Sequence, residues 1–199
     1  PLLEGMQLST HDTNQYIAMN KESADYKAAT GDAAMWSSRM FGGMPAFMIG
    51  GLEFSPALNM MPLMLIHKVL RVIPDPAMDI VFLLICGFIG FYVLTRKVLL
   101  SLLGAVAIGF CTANFVSLDA GHITKVNTIA MFLPLFASVW LTFQKKYYTG
   151  IILFLIFSFE IISQRHVQIA YYSFILIGLY GVYEIARNIL QKDIKNALI

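Results

Sequence analysis

Charge is what this sequence has least of. Asp, Glu, Lys and Arg make up 13% of its 199 residues, against 58% hydrophobic, where a water-soluble fold carries about 25% charged residues. With a mean hydropathy of +0.69, an ordinary soluble domain is excluded. The net charge of +2 is too small to draw nucleic acid, and no basic-aromatic patch offers it a surface. Cysteine is nearly missing as well. Cys86 and Cys111 both fall in apolar runs, which suits small buried hydrophobes better than a disulfide or a metal site. Spacing of the His-Glu-x-x-His kind is lacking, as are a glycine-rich phosphate loop and an ordered Ser-His-Asp set.

What the chain does have is long apolar runs. Between residues 77 and 186 they are broken only by short polar clusters, the pattern of several membrane-spanning helices. Five spans are expected, at about 77–95, 98–116, 127–143, 148–163 and 168–186, with 187–199 as a polar tail. The expected class is an all-α polytopic membrane protein, an outer loop domain of short helices over 1–76 followed by this bundle. Some spans are near the short end of the roughly 17–25 residues a helix needs.

Residues 1–76 are mixed in character. A helix is expected over 13–30, ending at Gly31, and a second from Asp32 to about Met40, before Gly42-Gly43. Ser55-Pro56 is a good helix start. The helix it opens, to about Ile73, carries His67, Lys68 and Arg71 and reads as lying in the membrane interface. The chain begins at Pro1 without a signal peptide and is expected to be a piece of a longer protein.

Positive charge gives an orientation. If the spans alternate, Arg96, Lys97, Lys145, Lys146, Arg187, Lys192 and Lys195 fall on one side and only Lys125 and Arg165 in the short loops of the other. Seven against two is a positive-inside signal, and it gathers three polar groups on the outer side. The first is His11, Asp12 and Gln15. The second is Asp119, His122 and Lys125. The third is Glu160, Gln164, Arg165, His166 and Gln168. Carboxylates and imidazoles collected at a membrane surface can bind a divalent cation, orient a phosphate or deprotonate a hydroxyl. Glu160 is the most unusual, because an acid in an apolar helix is costly unless it faces a partner or water. Plainer roles stay open: Asp12 with Gln15 fits a capping box, Asp119 and His122 can polarise a loop, and Arg165 and His166 can anchor headgroups. No cofactor is demanded; a divalent cation, Mg or Mn, is one option, with Asp12 and Asp119 as candidate ligands.

The motifs resemble a family. Leu3-Glu4-Gly5, His11-Asp12 with Gln15, Trp36, and Phe41-Gly42-Gly43-Met44-Pro45 look like the first outer loop of YfhO-like bacterial membrane proteins. Asp119-Ala120-Gly121-His122 with Lys125, and His166-Val167-Gln168 before Tyr171-Tyr172, resemble two later signatures, with Asp119 where Glu is more usual. Such proteins are similar to the GT-C class of integral-membrane glycosyltransferases. The resemblance implies a missing first span upstream and a sugar moved from a polyprenyl-phosphate donor to a cell-envelope acceptor outside the bacterial inner (cytoplasmic) membrane. It makes Asp12, flanked by His11 and Gln15, the catalytic acid or base. Substrate binding would fall to Gln15, Asp119, His122, Lys125, Glu160, Arg165, His166 and Gln168. The alternatives are a transporter or flippase of lipid-linked sugars and a non-catalytic membrane assembly protein.

Overall fold

A computed structural model of the chain describes residues 10–46, 69–70, 72–74, 77–164 and 166–191. The expected interfacial helix over 55–73 lies almost wholly outside the described residues, as do the Leu3-Glu4-Gly5 motif, Arg165, Lys192 and Lys195. Among the described residues the elements run α1 (His11–Thr30), β1 (Trp36–Ser37), β2 (Met44–Pro45), α2 (Ala77–Thr95), α3 (Val98–Gly109), α4 (Thr112–Ala120), α5 (Ile123–Phe143), α6 (Tyr147–Ser163) and α7 (Val167–Leu190).

Helix α1 buries none of its 20 residues, and local features support it. Asp12 in the first turn and Lys27 in the last complement the helix dipole. Lys21 Nζ donates to Asp25 one turn on at 3.2 Å. At the end Gly31 takes a left-handed φ of 82° and returns its N–H to the Lys27 carbonyl at 2.8 Å. The stop is where the sequence puts it. The start is earlier, at His11 with Thr10 as N-cap, and that corrects the capping box. Asp12 lies inside the first turn, so its carboxylate is not in the N-cap position.

No helix follows over 32–40. The chain instead forms a short antiparallel hairpin, Trp36 opposite Pro45 and Ser37 opposite Met44. Its connection passes through positive φ at Phe41, Gly42 and Gly43, which turns the chain back so that 44–45 pairs with 36–37. A Cβ on Gly43 would stand 2.8 Å from the Trp36 indole, so only glycine lets that ring fold over the turn. Glu22 ties the hairpin to α1: it accepts from Ser37 Oγ at 2.8 Å, from the Ser38 backbone N–H and from Ser38 Oγ. Those bonds hold the Glu22 carboxyl below its usual range, led by the Ser38 and Ser37 hydroxyls.

The bundle is built on α2 and α5. Phe82, Leu83 and Cys86 of α2 meet Val126, Ala130, Met131 and Leu135 of α5, with Phe157 and Ile161 of α6 closing the core. Small residues set the close approaches, as in membrane helix pairs. A Cβ on Gly90 would meet Leu133 at 2.6 Å, and one on Gly150 would meet Thr142 and the Ser138 carbonyl. The same contacts fix direction. Asp79 pairs with Asn127 and Gly90 with Leu133, so α2 and α5 run parallel; Gly150 against Thr142 makes α6 antiparallel to them. Tyr180 of α7 packs its ring on Phe136 and Phe143. α3 returns beside α2, Gly104 under Phe91 and Gly109 under Leu84.

Among the described residues three helices, α2, α5 and α7, are long and apolar enough to cross a membrane, and α3 with α4 makes a fourth if the bent pair is one span. α6 is apolar but shorter, at 17 residues. The first expected span covers the same residues as helix α2. Over the second, expected at 98–116, the helix is not continuous. It breaks at Phe110-Cys111 with a 42° bend and continues to Ala120. At the break Cys111 is extended, and the Asn114 side-chain amide donates to the Ile108 carbonyl at 2.7 Å, a polar side chain taking the place of a backbone donor. The expected loop over 117–126 shrinks accordingly to Gly121-His122.

Candidate functional site

Two helix ends and one turn make the site. After α4 the chain reverses through a Schellman pair, His122 N–H to Ser117 O at 2.8 Å and Gly121 N–H to Leu118 O at 3.0 Å, with Gly121 at φ +96°. That turn holds His122 at the N-cap of α5. Onto it comes the N-terminus of α1. Thr10 is buried, its hydroxyl bonded to that of Thr13, and both face Gly121.

The contact that results is between residues 110 positions apart: His122 Nδ1 lies 3.2 Å from Asp12 Oδ2. On its other oxygen Asp12 takes His11 Nδ1 at 3.4 Å. The carboxylate is thus flanked by two imidazoles and is itself 40% exposed. Because His122 turns Nδ1 to the carboxylate, Nε2 is the nitrogen left for another proton partner.

His166, at the N-cap of α7, completes the cluster. Its Nδ1 accepts the Ile169 N–H at 3.4 Å. Burial lowers its pKa, and the charges of Lys125 and His122 lower it further, which places those two groups within electrostatic reach. The neutral ring this favours is the form whose Nδ1 can accept.

The other sequence candidates scatter. Gln15 is exposed on α1 and Asp119 is exposed on the last turn of α4. Gln168 is also exposed, donating to the Tyr172 hydroxyl at 3.4 Å. Glu160 is not on the surface at all: it is 1% exposed, inside the bundle and within electrostatic reach of Cys86. Among the described residues no group of three or more His, Cys, Asp or Glu could hold a metal ion. Asp12 and Asp119, the candidate ligands of the optional cation, fall in no such group there.

One polar pair went unread in the sequence. Asp79, fully buried, accepts from Asn127 Nδ2 at 3.1 Å across α2 and α5. Its signal was available: an acid five residues past Pro74, at the head of an apolar run, as costly there as Glu160. No family model matches the chain, and neither a curated protein nor a solved structure does.

Proposed function

We propose that this chain belongs to a membrane glycosyltransferase of the YfhO-like, GT-C-like kind, which moves a sugar from a polyprenyl-phosphate donor to an envelope acceptor on the extracytoplasmic face of a bacterial inner membrane. The observation that carries the reading is the Asp12–His122 pair at one end of an apolar bundle. In this reading His122 Nε2 takes the proton of the acceptor hydroxyl, and Asp12 holds the ring and offsets the imidazolium charge. The acceptor oxygen forms the new bond to the anomeric carbon while the bond from that carbon to the phosphate oxygen breaks. The lipid phosphate leaves with the electron pair, its charge offset by Lys125. The base is then His122, with Asp12 as its partner, rather than Asp12 alone.

The test is transfer of labelled sugar from a polyprenyl-phosphate donor by the full-length protein. Asp12→Asn and His122→Gln should each lower transfer with an unchanged melting temperature, while Gln15→Ala, exposed and outside the cluster, should not. Undiminished transfer by both first variants refutes the reading. For sidedness, cysteines at Gln15 and Gln144, both exposed at opposite ends, should label from opposite faces in a Cys111→Ser background.

A second reading, a transporter of lipid-linked sugars, is favoured by the broken α3–α4 segment, since discontinuous helices mark transport sites. It predicts movement of labelled lipid across vesicles without sugar transfer.

A further inference from the structure

We propose that Gly121, with Thr10, is a positioning residue for the Asp12–His122 pair: its missing side chain is the space into which α1 docks. The inference rests on the reading of that pair as reactive, but its geometry stands apart from it. None of the residues of α1 is buried; Glu22 ties it to the hairpin, and its N-terminal end meets the bundle at this turn. Thr10, just ahead of it, is 8% exposed, and what it is buried against is the turn.

A Cβ on Gly121 would stand 2.9 Å from Thr10 Oγ1, 3.1 Å from Thr10 Cβ and 3.1 Å from Thr13 Oγ1. Both threonines are held in place by the hydroxyl bond between them, so neither can swing aside without losing it. Asp12 lies between these two residues in sequence, and His122 directly follows the glycine. A methyl at 121 therefore acts as a wedge one residue from each partner, and it lifts the carboxylate off the imidazole. Gly121 touches neither reacting atom. It sets the distance between them, and its left-handed φ of +96° adds backbone strain to any replacement.

The experiment uses the full-length protein in membrane vesicles, with Cys111→Ser to remove the exposed native thiol. Asp12→Cys with His122→Cys reports docking through the rate of disulfide formation under a mild oxidant. Gly121→Ala should slow that rate about tenfold, and adding Thr10→Gly, which clears two of the three clashing atoms, should restore most of it. Thr10→Leu, which wedges from the α1 side without strain at 121, should slow it similarly and serves if Gly121→Ala fails to accumulate. With Asp12 and His122 intact, Gly121→Ala should lower kcat for labelled-sugar transfer with KM unchanged, and Thr10→Gly should rescue kcat. Disulfide formation that stays as fast as in the parent after Gly121→Ala and after Thr10→Leu overturns the inference. If disulfide formation responds as stated but no background transfers sugar, the docking role stands and the glycosyltransferase reading falls.

Discussion

At one end of the bundle, Arg96-Lys97 and Lys145-Lys146 follow the C-termini of α2 and α5, and Arg187 sits in the last turn of α7. At the other, His122 and His166 cap the N-termini of α5 and α7, and α1 brings Asp12 onto the first of them. The cationic end is assembled locally. Arg96 and Lys145 follow helix C-termini of negative dipole, Lys97 and Lys146 are the N-caps of the next helices, and Arg187 pairs with Glu184 one turn back at 2.7 Å. The histidine end is assembled from afar, by residues of α1, the α4–α5 turn and the α6–α7 turn. Charge placed by local rules serves orientation and solvation; charge brought together across the chain, with imidazoles against a carboxylate, is what the proposed proton transfer would draw on.

That contrast can be broken most forcefully at His122. His122→Gln should lower sugar transfer by roughly 10²–10⁴-fold, the usual worth of a general base, whereas Lys145→Gln with Lys146→Gln should change it by less than about twofold. Equal losses at both ends would erase the distinction. Next comes the buried link below the histidine end. Asn127→Leu removes the donor to Asp79 Oδ1 and should cost about 1–3 kcal/mol, read as an earlier unfolding midpoint in detergent; a neutral outcome means the pair is not holding α2 to α5.

A pH experiment separates α1 from the bundle. The folded pKa of Glu22 is depressed, so its contribution is present above the unfolded carboxylate pKa and is lost as pH falls through the lower folded value. Acidification should therefore free the hairpin, seen as a change in Trp36 emission, and Glu22→Gln should abolish that pH response. A response that persists in Glu22→Gln assigns it elsewhere. The smallest effect is expected at the cationic end. Lys145 sits at φ 65°, so Lys145→Gly should gain a few tenths to about 1 kcal/mol; a net loss would show that its charge outweighs its strain.

Much of this frame was legible in the sequence, for reasons that stay local. α2 was readable to the residue because Arg96-Lys97 closes its apolar run, and Gly31 announced the end of α1. Alternation of spans was enough to expect His11-Asp12, His122 and His166 at one end. Which of them touch was not readable, because packing at Gly90 and Gly150 sets the rotation of each helix about its axis. Glu160 shows the limit: its place near the end of α6 suggested the surface, but its face of the helix turns inward. The hairpin was hidden because Gly42-Gly43 ends a helix as readily as it turns a strand. The break at Phe110-Cys111 was hidden because no proline or glycine pair marks it; Asn114 acts there through one side-chain bond.

The short α6 has a consequence for the lipid around the chain. At about 1.5 Å per residue, its 17 residues reach about 26 Å, while the neighbouring 21-residue α5 reaches about 32 Å. A bilayer in contact with this protein meets walls of unequal height. Mismatch of that size is relieved by helix tilt or by thinning of the acyl layer on the lower side, so a bilayer around the bundle would have to tilt α6 or thin beside it.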